Sequence, residues 1–253
     1  MRIERLNARQ VDSLRRAGRV AAQTLAAVGE TLRAGLTTAA IDRFVRTDTA
    51  ARNAAPSQLG YHGFPGAVCT SRNDVVCHGI PSERDVLEEG DIVSVDVTSH
   101  FEGWHGDTCR TFAIGTPTPE RAHVLRVAEA CCQLGIRTVR DGIRLGDLGA
   151  VVDDFAQAEG CAIVRDVGGH GIGRAMHLSP HVSFFGTPGT GRRLRRGMAI
   201  TIEPIVVLGE SAEVTTDPDG WTMRSASGAP AAQFEHTIVV TRDGAEVMTL
   251  RGQ

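Results

Sequence analysis

The chain contains no lysine, so arginine supplies all 27 basic residues against 30 acidic ones, for a formal net charge of −3. No long basic stripe runs through it, which removes the footprint expected of a general nucleic-acid binder. The cluster Arg192, Arg193, Arg195, Arg196 reads as a solvated turn ahead of a strand. None of the six cysteines (Cys69, Cys77, Cys109, Cys131, Cys132, Cys161) belongs to a Cys-x-x-Cys pair, so a zinc knuckle is excluded. With no signal peptide and no apolar run of membrane length, reduced thiols in a cytoplasmic protein are expected. Linkers, low-complexity stretches and charged tails are also missing. Hydrophobic residues at 42% and charged ones at 23% describe a folded globular chain. Its 253 residues suffice for one large core or a fused pair, and 1–253 is expected to form a single domain.

A segment written twice is present. Leu87-x-x-Gly90-x-x-Val93-x-Val95-Asp96 returns, with isoleucine for valine, as Leu194-x-x-Gly197-x-x-Ile200-x-Ile202-Glu203, 107 residues on. Gly35-Leu36-x-x-x-x-Ile41 and Gly142-Ile143-x-x-x-x-Leu148 share that offset. The duplication predicts two related halves, approximately 1–117 and 118–253, each ending an apolar strand in an acid.

Apolar periodicity predicts helices over 11–32, from Thr37 or Thr38 to about 53, over 120–139 and over 145–159. Residues 68–71 and 75–78 read as a hairpin turned at Arg72–Asp74. Asp91–Thr98 pairs with Cys109–Ile114 across a Gly103–Gly106 turn. Strands are expected at 161–167, 198–208, 221–225 and 233–241, with a glycine-rich loop at 168–173. That loop resembles a dinucleotide fingerprint only loosely, because no ribose-binding acid and no following helix accompany it. Helices then strands, twice, predict an α+β fold of curved antiparallel sheet with helices outside.

Five side chains could hold metal: Asp96, Asp107, His170, Glu203 and Glu235. A carboxylate ending a Val/Ile strand costs several kcal/mol to bury unless it is paired, protonated or metal-bound. Four acids and one imidazole are too hard a set for a structural zinc site. They suit two divalent cations about 3.5–4 Å apart, which bring a bridging water to a near-neutral pKa.

His105-Gly106-Asp107-Thr108, Gly169-His170-Gly171-Ile172-Gly173, Thr201-Ile202-Glu203-Pro204 and Gln233-Phe234-Glu235-His236-Thr237 together resemble the type I methionine aminopeptidases. Leu59-Gly60-Tyr61-His62-Gly63-Phe64-Pro65 and Val76-Cys77-His78-Gly79-Ile80-Pro81 extend the likeness, which runs from Arg16-Ala17-Gly18-Arg19 to Thr249-Leu250-Arg251. The resemblance implies the pita-bread fold and excision of N-terminal initiator methionine ahead of a small second residue. In that chemistry a metal-bridging water or hydroxide attacks the first peptide bond.

By the same resemblance, Asp96, Asp107 and Glu235 hold one ion, and Asp107, His170, Glu203 and Glu235 the other. The metals would be two of cobalt, manganese, iron or zinc. Glu203 would act as general base, His177 would polarise the scissile carbonyl and His78 would assist the departing amine. Tyr61, Phe64, Cys69, Met176 and Trp221 would line the methionine pocket, with His78 and His177 at its rim. His62, His100, His105, His123, His181 and His236 are assigned structural or exposed places. Gln58, Met176 and Leu178-Ser179 depart from the family pattern and bear on pocket shape.

A cytoplasmic monomer acting on nascent-chain N-termini, with a transient ribosome contact and no membrane or nucleic-acid requirement, is implied. X-Pro aminopeptidases and prolidases share the ligand pattern but usually carry an extra N-terminal domain, whereas this chain opens at the first catalytic-domain helix. Non-catalytic pita-bread binding proteins lose the ligands kept here.

Overall fold

The computed structural model describes residues 3–250, so Arg251 lies outside the described residues. The first half runs α1 (Ala8–Thr31), α2 (Thr38–Ala51), β1 (Ala55–Pro56), β2 (Cys69–Arg72), β3 (Val75–Cys77), β4 (Ile92–Phe101) and β5 (Trp104–Ala113). In the second half α3 (Pro119–Thr138) and α4 (Leu145–Ala158) precede β6 (Cys161–Ile163), β7 (Gly169–Gly171), β8 (Leu178–Val182), β9 (Ala199–Ile202) and β10 (Ile205–Leu208). It closes with β11 (Val214–Thr216), β12 (Met223–Ser225), β13 (Ala231–Gln233), β14 (His236–Val240) and β15 (Ala245–Val247). Four antiparallel sheets result: β1-β4-β2 with β5 on β4, β13-β10-β6, β11-β12-β3, and β15-β14-β9-β7-β8.

Helix α1 begins three residues before the periodicity does, because Asn7 caps it. Asn7 Oδ1 accepts Gln10 N at 3.0 Å and Gln10 Oε1 accepts Asn7 N at 2.9 Å, a reciprocal capping box. The internal repeat has a direct structural basis. Gly35 N donates to Leu87 O and Gly142 N to Leu194 O, while Leu87 N donates to Leu36 O and Leu194 N to Ile143 O, all at 2.8–2.9 Å. Gly90 and Gly197 both hold φ near +88° (89° and 87°), a left-handed turn that favours glycine. Each half therefore ties its helix–helix turn to the start of its acid-bearing strand in the same way.

Strand alternation separates core from site. Val93, Val95 and Val97 join Leu25, Val28, Ile41 and Val45 of the helices in one apolar cluster, which leaves Asp96 and Thr98 on the opposite face. In the second half Val124, Val127, Leu148 and Val152 pack on Ile200, Ile202 and Ile238. Helices thus cover the outside, and the acids look inward.

Several expected elements differ. Residues 68–71 and 75–78 form no hairpin with each other: β2 pairs with β4 and β3 with β12. Asn73 holds that turn against the start of β4, with Nδ2 on Asp91 Oδ1 at 2.7 Å and Oδ1 accepting Ile92 N at 3.1 Å, so the chain is handed between sheets. The β4–β5 turn is only Glu102-Gly103, with φ of +47° and +80°, the signature of a tight two-residue hairpin; Gly106 lies inside β5. The glycine-rich 168–173 segment is partly strand, because β7 inserts between β8 and β9. Strand 161–167 stops at Ile163, and the strand expected at 221–225 begins at Met223. The strands expected at 198–208 and 233–241 are each broken, at Glu203-Pro204 and Phe234-Glu235. At the first break the chain leaves the five-stranded sheet for sheet β13-β10-β6, and at the second it returns; Pro204 lacks the N–H that would continue the ladder. Among the described residues no helix is long and apolar enough to cross a membrane.

Candidate metal centre and substrate pocket

Register brings the first two acids together. Asp96 faces Cys109 and Thr98 faces Asp107 across β4–β5, so Asp96 and Asp107 are diagonal neighbours on one face. Thr98 Oγ1 donates to Asp107 Oδ1 at 2.7 Å. Gln58 clamps the same strand: its Nε2 donates to Asp96 O at 2.9 Å and Oδ1 at 3.3 Å, and its Oε1 accepts Thr98 N at 3.1 Å.

The other acids arrive at the two strand breaks rather than within strands. Glu235 N donates to Cys109 O at 2.9 Å, and Thr108 Oγ1 donates to Glu235 O at 2.8 Å. Thr237 Oγ1 accepts Asp107 N and donates to Asp107 O, at 3.0 and 2.8 Å. These bonds join the halves at the acids themselves. Glu203 is held by Thr201 Oγ1 at 2.5 Å and Gln233 Nε2 at 3.3 Å. His170, on β7 and not in a free loop, has Nδ1 3.0 Å from Gly171 O. As a donor to that carbonyl, Nδ1 leaves Nε2 facing Asp107 Oδ2 at 3.6 Å and Glu203 Oε1 at 3.5 Å.

Asp107, His170 and Glu235 each offer a ligand atom within 4.8 Å of the others. Asp96 and Glu203 lie close enough to Asp107 and Glu235 for the carboxyl groups to act on one another. Burial and then mutual repulsion push Asp96 and Glu235 well above the ordinary carboxylate range. Burial, opposed by the charge of His170, lifts Glu203 to about 7. Burial would lower His170, yet the close approach of Asp107 and the charges of Glu203 and Asp107 outweigh it and raise it to about 9. Glu235 Oε1 is buried with no hydrogen-bond partner. An orphaned oxygen and mutually repelling acids around an inward-facing imidazole nitrogen are what divalent cations, displacing the protons, would satisfy. The residues fit the metals.

A cavity of about 380 Å³ opens over these groups. All twelve residues assigned from sequence line it: Tyr61, Phe64, Cys69, His78, Asp96, Asp107, His170, Met176, His177, Glu203, Trp221 and Glu235. Phe64 and Trp221 meet edge to face at 5.2 Å, and Trp221 faces His78 at 6.3 Å. His78 has φ of +56°, and a Cβ on the next residue, Gly79, would sit 2.1 Å from Thr70 O. That close approach forces the loop to carry His78 in an uncommon conformation. His177 Nδ1 lies 2.8 Å from the Tyr61 hydroxyl, and its ring packs 4.3 Å from that of His170. Burial and then the nearby His170 charge pull His177 down to about 4; burial also lowers His78.

Three roles escaped the sequence. His181, grouped there with the outlying histidines, lines the cavity because it stands opposite His170 on β8. Asp166 is also in the wall. Asp219 builds the Trp221 loop, accepting Trp221 N and Thr222 N at 2.8 Å and Thr222 Oγ1 at 2.7 Å. The Asp-x-x-Thr spacing was the available signal for the last.

Comparison with known proteins places this arrangement. The model of metallopeptidase family M24 matches residues 12–242. The chain belongs to metallopeptidase family M24. Within M24 it is 44% identical to methionine aminopeptidase A of Synechocystis sp., over 97% of this chain and 96% of that protein. The crystal structure of methionine aminopeptidase from Rickettsia prowazekii superimposes with a TM-score of 0.96 at 38% identity, covering 98% and 100% of the two chains. The Xaa-Pro dipeptidase of Bacillus anthracis has a TM-score of 0.80 at 21% identity, over 98% of this chain and 62% of that one; that likeness concerns the fold alone. The M24 pita-bread fold accounts for the paired halves and the inward acids.

Proposed function

We propose that this chain is a methionine aminopeptidase, removing the initiator methionine from polypeptides whose second residue is small. The observation that carries it is the convergence of Asp107, His170 and Glu235 within 4.8 Å at the floor of a cavity walled by Phe64, Met176 and Trp221. Asp96, Asp107 and Glu235 would hold one divalent ion, and Asp107, His170, Glu203 and Glu235 a second. When bound, such ions supply Lewis acidity and lower the pKa of water at the site.

Glu203 would take the proton of the attacking water; Thr201 and Gln233 keep its two oxygens in place. His177 is neutral at physiological pH. If Tyr61 donates its hydroxyl proton to Nδ1, the imidazole carries its own proton on Nε2 and can donate to the scissile carbonyl as negative charge develops there. A donor so placed is worth about 3–4 kcal/mol. His78, also kept neutral by burial, can donate to or accept from the departing nitrogen. The pocket of Tyr61, Phe64, Cys69, Met176 and Trp221 accepts a long unbranched thioether, which packs well against aromatic edges.

Cobalt, manganese, iron and zinc all suit the donor set. A single domain spanning 1–253, a cytoplasmic monomer and a transient encounter with ribosomes complete the proposal. The test is hydrolysis of Met-Ala-Ser and Ala-Pro peptides with and without added manganese or cobalt: release of methionine only, and only with metal, is expected. Failure to release methionine under every metal would overturn it.

A further inference from the structure

One edge of β4 is covered in three stretches. At its far end β1 pairs with it, Pro56 opposite Ser99 and Ala55 opposite His100. At its start β2 does so, from Arg72 opposite Val93 to Cys69 opposite Asp96. Between them the backbone turns away after Ser57, whose N–H donates to Thr98 O at 2.8 Å, and enters the loop that carries Tyr61 and Phe64 into the pocket. The side chain of Gln58 takes over there. Its Oε1 accepts Thr98 N at 3.1 Å and its Nε2 donates to Asp96 O at 2.9 Å, main-chain groups that a continuing strand would have paired. Tyr61 N donates to Gln58 O at 3.0 Å, so the pocket loop starts from the same residue.

A primary amide has two N–H donors and an acceptor oxygen, and Nε2 also donates to Asp96 Oδ1 at 3.3 Å. All of the side chain's polar capacity is thus spent on β4. The reverse orientation of the amide would set its oxygen against Asp96 O and Oδ1 at once. Gln58 is only 6% exposed, although it and Thr98 line the cavity over the acids. The other strand-ending acid has the same kind of partner, since Gln233 Nε2 donates to Glu203 Oε2, also at 3.3 Å. That likeness is not inherited from the duplication, because the position 107 residues beyond Gln58 is Arg165. Asp107 is held by Thr98 Oγ1 and Thr237 Oγ1, and Glu235 by Thr108 Oγ1 and Cys109 O. None of those bonds involves the Gln58 side chain.

We infer that Gln58 is a positioning residue for the metal centre: it sets how tightly the chain holds the ion assigned to Asp96, Asp107 and Glu235. It leaves alone the affinity for the ion assigned to Asp107, His170, Glu203 and Glu235. The inference rests on the two-ion reading above. One bond to Oδ1 and another to the carbonyl of the same residue fix the Asp96 carboxylate relative to its strand, so the acid is already ordered when a cation arrives. Partners of this kind are worth about 10- to 100-fold in metal affinity. Without the amide the Asp96 side chain would be free to turn, whereas Asp107, His170, Glu203 and Glu235 would keep the bonds that hold them.

The experiment titrates the whole metal-free chain with manganese and counts the free ion by electron paramagnetic resonance. His170→Asn leaves one complete ligand set, Asp96, Asp107 and Glu235; Asp96→Asn disables that set and leaves His170 and Glu203 with the two shared acids. Gln58→Met keeps the length of the side chain and removes its amide. Added to His170→Asn it should weaken manganese binding by at least about tenfold, and added to Asp96→Asn by less than about twofold. Equal weakening in both, or none in either, overturns the inference. A side chain that merely supports the fold would lower the unfolding midpoint and leave both affinities alone. The parent protein gives a second measurement with no substitution at position 58. The Gln58 carboxamide hydrogens, followed by heteronuclear NMR, should exchange with solvent at least about tenfold more slowly than those of Gln157, which is exposed, and should shift when zinc is added. Rapid exchange, or no shift with zinc bound, overturns the inference. A parent that binds no manganese removes the two-ion reading and the inference with it, a result distinct from two affinities that ignore Gln58.

Discussion

Replacing Glu203 with Gln should act in opposite directions on stability and on catalysis. Burial holds the Glu203 carboxyl at about 7 rather than its ordinary 4.5. The folded metal-free protein therefore binds a proton that the unfolded chain releases between those values. An acid whose folded pKa is raised contributes stability that is fully present below about 4.5 and lost as pH climbs to about 7. At 1.36 kcal/mol per pH unit, the parent gives up about 3 kcal/mol across that window. Glutamine has the shape of the protonated acid and no charge to suppress, so Glu203→Gln should be about 3 kcal/mol more stable than the parent at pH 8 and nearly equal to it at pH 4.5. Denaturant unfolding of chelator-treated parent and variant at those two pH values measures the difference. With saturating metal the order should invert, since binding to the folded form alone stabilises it and the variant has lost a ligand. Methionine release should fall below detection. A metal-free variant no more stable than the parent at pH 8 would refute the claim that this acid is held in the fold against its own charge.

Tyr61→Phe keeps the ring in the pocket but deletes the proton offered to His177 Nδ1. It should lower kcat by roughly tenfold, the worth of about one hydrogen bond, with KM nearly unchanged; an equal rise in KM would assign Tyr61 to binding alone. His78→Ala should slow turnover by about 10²-fold, as for a positioned acid or base, without changing metal content by elemental analysis. Asp219→Ala frees the Trp221 loop and should erode preference for methionine over leucine at the first residue, read as a KM effect with altered Trp fluorescence; Asp219→Asn should restore part of it.

How much of this was legible in the chain depends on the range of the interaction. The duplication was written in the letters, and the matched bonds of Gly35 to Leu87 and Gly142 to Leu194 show why: each half repeats the same local turn. Asp96 and Glu203 were readable because acids ending Val/Ile strands are chemically out of place, whereas Asp107, His170 and Glu235 were legible through the family motifs around them. Sheet membership was not. Nothing within residues 68–78 announces that β2 and β3 part company, since Asn73 takes its instructions from Asp91, 18 residues away. Likewise the breaks at Glu203 and Glu235 arise where two sheets meet, so uninterrupted strands were the natural expectation. His181 was missed for the same reason: only the β7–β8 register sets it across from His170.

The crossing of α1 over β5 carries one more consequence. A Cβ on Gly106 would lie 2.4 Å from the Gly18 Cα, so helix and strand touch backbone to backbone one residue before Asp107. A single methyl group added at Gly106 would wedge the two apart and swing Asp107 away from its companions. Cation affinity in this molecule is thus hostage to a bare patch of main chain on the outer layer, remote from any substrate atom.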